Sequence, residues 1–228
     1  MATSREVVGL LPASGRATRL GGLPKFALPC DDASTPLIAR HVMLMLQACD
    51  RVVVSTTRHW APLMELFALP VELLEIEPST MNDAVLRMQE HAPAPFYAIG
   101  MADTYFLGEN PYPAMVDQLG ANELVIAAWP VRPELKGRVG QVLVVDGEVR
   151  DSVDKSAYCD YPHMWGALGM SAGLAGTIDP ENAHPGIDLP RMLEDPALAR
   201  SAVLVDGDYF DVGTFLGYKT LLARIQDS

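Results

Sequence analysis

The chain is short of cysteine, short of positive charge, and without any long apolar run. Its three cysteines, Cys30, Cys49 and Cys159, are odd in number, widely spaced and form no C-x-x-C. That argues against a disulfide framework or a zinc site and fits reduced thiols in the cytosol. The five histidines (His41, His59, His91, His163, His184) show neither H-x-H nor H-E-x-x-H spacing, so a zinc centre has no support from them either. No apolar stretch is long enough to span a bilayer and the first residues lack a signal-peptide core, so a cytoplasmic protein with no membrane partner is expected. Seventeen basic residues stand against 29 acidic ones, a net charge of −12, and such a balance argues against a nucleic-acid surface. What is present is globular: 228 residues, 49% apolar and 20% charged. With no repeat, low-complexity tract or polar linker, a single domain over residues 1–228 is the economical reading.

The first half alternates. Strands are expected at 6–12, 51–55, 71–76 and 96–101, with helices at 36–48, 60–68 and 82–91, from β-branched runs and helical apolar spacing. Such β-α-β-α order implies a parallel sheet with helices on both faces and a ligand crevice beyond the carboxyl ends of the strands. In the second half, strands are expected at 123–131, 138–145, 148–153, 164–172 and 202–205, and helices at 185–193 and 213–224. Asp146-Gly147 marks a hairpin between 138–145 and 148–153. The fold class is α/β: a doubly wound, mixed but mainly parallel sheet with an appended hairpin.

The first strand runs into Pro12-Ala13-Ser14-Gly15-Arg16-Ala17-Thr18-Arg19, followed by Pro24-Lys25. Small residues leave backbone N–H groups free to approach a phosphate or a base edge, and adjacent cations neutralise a polyphosphate. The loop is neither G-x-G-x-x-G nor a Walker A sequence. It resembles the opening loop of the sugar-1-phosphate nucleotidyltransferases that make NDP-sugars, and further motifs resemble the same family. Ile99-Gly100-Met101-Ala102-Asp103-Thr104-Tyr105-Phe106 is similar to its Gly-Asp-Asn-x-Phe stretch, with Ala102 for Gly and Thr104 for Asn. Val153-Asp154-Lys155-Ser156 is similar to its Val-x-Glu-Lys-Pro, with Asp154 for Glu and Ser156 for Pro. Gly207-Asp208-Tyr209-Phe210-Asp211-Val212-Gly213-Thr214 is similar to its Gly-x-Trp-x-Asp-x-Gly-Thr, with Tyr209 for Trp. Ser79-Thr80-Met81-Asn82-Asp83 occupies, loosely, the place of its base-reading Gly-Thr-x-x-Ala segment. The spacing from Arg19 to Pro24-Lys25 is closer to that of isoprenoid-pathway cytidylyltransferases.

The resemblance implies a Rossmann-like domain of the GT-A type and a role for each residue. Residues 12–18 of the loop, Thr80, Met81 and Asp83 would bind an NTP. Arg19 would face the departing pyrophosphate and Lys25 would lie between the reacting phosphates. Asp103 and Asp211 would hold Mg²⁺, and Lys155, with Asp154, Gly137 and Gly169, would hold a sugar phosphate. Taken alone, Asp103 reads equally as a turn or cap residue, Asp211 and Thr214 as caps of the last helix, and Asp154-Lys155 as a solvated pair. The implied partners are therefore two small molecules, an NTP and a sugar phosphate. A non-sugar acceptor, such as phosphocholine or a polyol phosphate, and a non-catalytic nucleotide-binding module on the same fold are the alternatives. Gly169-Met170-Ser171-Ala172-Gly173 also fits the G-x-S-x-G nucleophile elbow, but no long helix is expected after it.

Overall fold

The computed structural model describes residues 5–15 and 21–226. Strand β1, Val7–Pro12, is apolar on both sides: Val7 and Leu11 enter one core layer, Val8 and Leu10 the other. A strand buried on both faces needs such a continuous run, and β1 lies between parallel neighbours. The chain continues through α1 (Leu37–Met45), β2 (Arg51–Thr56), α2 (Ala61–Leu66), β3 (Glu72–Glu75), α3 (Met81–His91) and β4 (Phe96–Ile99). Strands β3, β2, β1 and β4 lie side by side and all parallel. The order reverses at β1, since β2 and β4 flank it on opposite sides. That reversal opens a crevice beyond the carboxyl ends of β1 and β4.

The second half supplies β5 (Thr104–Gly108), α4 (Pro111–Gln118), β6 (Leu124–Pro130), β7 (Gln141–Val145), β8 (Glu148–Val153), β9 (His163–Ser171) and α5 (Ala172–Ala175). After these come α6 (Leu189–Leu193), β10 (Arg200–Leu204), β11 (Gly207–Asp211) and α7 (Phe215–Gln226). Strand β9 runs antiparallel between β4 and β6, and β10 joins β6 in parallel. The β7–β8 hairpin turns at Asp146 (φ 52°) and Gly147 (φ 78°), two successive left-handed residues of the kind that tight hairpins require. It docks on β9 through Gln141 and Val142. Residues of α1, α2 and α4 pack with one face of the sheet, and residues of α3, α5 and α6 with the other. The architecture is thus the mixed, mainly parallel sheet with helices on both faces and an appended hairpin.

Four features depart from the sequence expectation. Strands β5 and β11 form a separate antiparallel pair, Thr104 opposite Asp211 and Gly108 opposite Gly207. Each is only five residues long and they lie about a hundred positions apart, so neither announces itself by pattern. Helix α4, with prolines at 111 and 113, falls where no element is expected. Pro111 in fact occupies the first turn, where no N–H is needed, and Asn110 caps it by accepting from Tyr112 N–H. The stretch at 138–145 becomes strand only from Gln141, because a 3₁₀ turn at Pro133–Leu135 and its sequel occupy the residues before it. The expected helix at 185–193 breaks at Asp188 into a 3₁₀ turn and α6. Ser171, finally, caps the four-residue α5 by accepting from Leu174 N–H, and no long helix follows, so it is no nucleophile elbow.

Candidate active site

A cavity of about 800 Å³ opens where the sheet order reverses. Its first wall is the turn after β1. Ala13 N–H donates to the backbone oxygen of Ser55 (3.1 Å), and Ser14 Oγ meets Ser55 Oγ at 3.2 Å. Ser55, fully buried at the end of β2, anchors the loop, and Pro12, Ala13, Ser14 and Gly15 line the cavity. Arg16, Ala17, Thr18 and Arg19 lie outside the described residues.

Lys25 begins a 3₁₀ turn whose Phe26 is buried edge-on against Trp60. Its Nζ lies 2.8 Å from Asp103 Oδ2, with both side chains partly sheltered. Asp103 sits between β4 and β5, and its backbone oxygen accepts from Val212 N–H (2.9 Å). That bond places Asp103 beside Asp211, the last residue of β11. Asp211 Oδ1 accepts from Gly213 N–H (2.7 Å). A Cβ on Gly213 would stand 2.6 Å from Asp211 Oδ1 and 3.3 Å from Lys25 Nζ, so ammonium and carboxylate crowd the same glycine. The capping reading holds in part: Thr214 Oγ1 accepts from Gly217 N–H, and one Asp211 oxygen satisfies a turn. The floor beneath is aromatic, with Phe106 stacked on Trp129 (4.9 Å) and on Tyr209 (5.9 Å). Burial, followed by the Asp211 and Asp103 carboxylates, pushes the Tyr209 hydroxyl well above its ordinary range, so it stays protonated.

Asp154 and Lys155 also line the cavity. Lys155 takes a left-handed backbone (φ 47°), uncommon for a non-glycine residue, and its N–H donates to Val139 (3.2 Å). Its Nζ lies 2.7 Å from His184 Nε2 and 3.9 Å from Asp154 Oδ2. Behind His184 stands Trp165, ring centroids 5.9 Å apart. Trp165 fits because two neighbours have no side chain: a Cβ on Gly140 would lie 2.0 Å from its Nε1, and one on Gly186 2.3 Å from its Cζ2. Burial, then the Lys155 charge, lowers the His184 pKa; Asp154 and Asp188 oppose the shift.

Thr80 and Met81 line the cavity as well. The Thr80 hydroxyl is engaged, donating to Pro180 O (2.6 Å) and accepting from Asp83 N–H (3.0 Å) to cap α3. Three of the expected residues do not line it. Asp83 turns back to accept from Ser79 N–H and to pair with Arg87, which together hold its carboxyl below the usual range. Gly137 packs on Ala157 in the turn before β7. Gly169 lies mid-strand between Ala98 and Val125, its open side against Leu119. Trp165 and His184 line the site but carry no motif; turn residues surround His184, and Trp165 reads as core.

A model of the MobA-like NTP transferase domain family matches residues 9–168, and the chain belongs to that family. The matched stretch contains the opening loop, Asp103 and the Asp154-Lys155 pair; Asp211 and His184 lie beyond it. No curated protein sequence matches the chain. Among solved structures, a UDP-glucose pyrophosphorylase complexed with UDP-glucose superimposes with a TM-score of 0.80 at 17% identity, over 98% of this chain and 100% of that one. A UTP-bound UGPase from Acinetobacter baumannii gives 0.75 at 16%, over 96% and 93%. The inositol-1-phosphate CTP transferase from T. maritima gives 0.73 at 12%, over 99% and 98%. At these identities the likeness is one of fold. Among the described residues no helix is long and apolar enough to cross a membrane.

Proposed function

We propose that the protein transfers a nucleotidyl group from an NTP to a sugar 1-phosphate, giving an NDP-sugar and pyrophosphate, with Mg²⁺ as cofactor. One observation carries the reading: a single cavity is lined by Pro12–Gly15, Lys25, Asp103 and Asp211 and also by Asp154 and Lys155. With Lys25 and Lys155 both on that lining, each of two anionic substrates would have a cation of its own.

The acceptor's phosphate oxygen attacks the α-phosphorus in line as pyrophosphate leaves. Neither a covalent nucleophile nor a strong base is required, because the attacking phosphate is already anionic. Lys25 stands where charge must be neutralised between the two phosphates, and Lys155 holds the acceptor, so orientation and charge stabilisation supply the rate. Asp103 and Asp211 are hard oxygen donors held at one end of the β5–β11 pair and fit Mg²⁺. No group of three His, Cys, Asp or Glu suited to a metal occurs among the described residues, so phosphate oxygens and water would complete the shell. When bound, the ion offsets the repulsion between the substrates.

The fold match to an inositol-phosphate CTP transferase favours one second reading, in which the acceptor is a polyol phosphate. A matrix of NTPs against sugar 1-phosphates, inositol phosphate and phosphocholine, read by pyrophosphate release, decides between them. Release with no pair would leave a nucleotide-binding module and overturn the enzymatic proposal.

A further inference from the structure

We propose that His184 is a positioning residue for Lys155: in the tautomer with its proton on Nδ1, its Nε2 accepts from the Lys155 ammonium and aims that ammonium into the acceptor end of the cavity. The proposal rests on Lys155 holding the acceptor phosphate.

The 2.7 Å contact fixes the chemistry of both partners. A lysine ammonium only donates, so Nε2 accepts and the ring's proton sits on Nδ1. Nδ1 is buried, with no hydrogen-bond partner among the described residues. The groups facing the ring are Lys155, Asp154 (Oδ2 3.7 Å from Nε2), Asp188 and the Trp165 indole. Burial and the adjacent ammonium both favour the neutral ring. A protonated one would set two cations together and remove the acceptor.

The imidazole is delivered by a built strap. The segment from Asp179 to Asp188 is fastened to the start of α3 by Thr80 Oγ1 to Pro180 O (2.6 Å), Met81 N to Ala183 O (3.2 Å) and Asn82 Nδ2 to Asp179 O (2.8 Å). Asp188, buried to 1% exposure, closes it by accepting from Asn82 Nδ2 (2.7 Å), Asn182 Nδ2 (3.1 Å), Asp179 N–H (3.3 Å) and Arg191 (3.3 Å). Thr80 and Met81 themselves line the cavity, so one strap ties that wall to the lysine. A lysine on a four-carbon stem swings freely without such a partner. Here its backbone is set left-handed and its tip is held by an imidazole.

The test is a long-range ¹H–¹⁵N correlation spectrum of the ¹⁵N-histidine-labelled full chain across pH, with His184→Gln assigning the signals. His184 is expected as the Nδ1–H tautomer with a midpoint below the ordinary 6.5. Lys155→Met is expected to mix the tautomers and raise the midpoint. Saturating inorganic phosphate, the probe for the acceptor phosphate, is expected to shift the wild-type His184 signals and leave those of Lys155→Met unmoved. An Nε2–H tautomer, or a spectrum indifferent to Lys155→Met, overturns the proposal; a phosphate shift that Lys155→Met abolishes would still support the acceptor reading. The expected tautomer with no phosphate response overturns the acceptor reading, and the positioning role with it.

Discussion

Lys25 and Asp103, 78 positions apart in the chain, meet at 2.8 Å where the sheet order reverses. The pair is partly solvated, and such pairs contribute at most about 1 kcal/mol to stability. In the proposed reaction the pair holds an ammonium where the two anionic substrates approach. Lys25→Ala will therefore lower kcat on the order of 10²-fold, as loss of a donor to developing charge does elsewhere, while thermal melts stay close to wild type. A large loss of melting temperature with normal turnover would make the pair structural.

In the proposed reaction Lys155 holds the acceptor phosphate. Lys155→Ala will raise the acceptor KM or lower kcat by about 1.5–3 kcal/mol, the worth of a charge-assisted hydrogen bond, and leave NTP binding nearly unchanged. Steady-state kinetics with each substrate varied in turn measure the split. Equal damage to both substrates would contradict the assignment.

The contrast between these two lysines and His184 shows what the chain order could reveal. Lys25, Asp103, Asp154, Lys155 and Asp211 stand in short motifs whose order can be read along the chain, and β1, β2 and β4 carry the short apolar runs that a buried parallel sheet needs. The strap that brings His184 to Lys155 is written in turn residues, Asp179-Pro180-Glu181-Asn182, whose bonds reach back to α3 across about a hundred positions. No local period encodes such a contact. Gly169 misled for the complementary reason: a glycine in a motif-like place says nothing of which sheet face it opens, and here strand alternation turns it to Leu119. The glycines that do shape the cavity, Gly140 and Gly186, are visible only through the indole they accommodate.

Gly140→Ala tests that accommodation. The new methyl would stand 2.0 Å from Trp165 Nε1, and Gly186, where a Cβ would lie 2.3 Å from Cζ2, crowds the ring as well. Overpacking of this kind costs about 1–3 kcal/mol. Urea denaturation will show that loss, and the acceptor KM will rise because Trp165 backs His184. Wild-type stability in Gly140→Ala would mean the indole moves aside at no cost.

His41 sets the response to acid. It is fully buried, with Nε2 2.5 Å from the Tyr112 hydroxyl and a backbone hydrogen bond to Thr104, joining α1, α4 and β5. Burial first, then Arg40, lowers its pKa from 6.5 to about 4. The folded state therefore binds fewer protons than the unfolded chain between those values, and stability rises with pH through that window. Acidification from pH 7 to 4 will cost the wild type about 3 kcal/mol more than His41→Gln, one pKa unit being worth about 1.4 kcal/mol. Parallel losses in the two proteins would place the acid sensitivity elsewhere.

The two carboxylates give the sharpest separation of enzyme from binding module. Asp103 and Asp211 reach the same end of the β5–β11 pair from positions 108 apart, joined by the Val212–Asp103 backbone bond and gathered around Lys25. If they share one Mg²⁺, loss of either leaves the ion too weakly held, and the second loss adds little. Asp103→Asn and Asp211→Asn will each remove most turnover, and the double variant will be far less than additive. Asparagine keeps the shape and the acceptor oxygen that Gly213 N–H needs, so the capping contribution survives and melts change little. A purely structural Asp211 predicts activity retained as well as stability. Pyrophosphate release against Mg²⁺ concentration, with melts on the same samples, distinguishes them. Normal turnover of both single variants at saturating Mg²⁺ would remove the metal pair, and the catalytic proposal would fall with it.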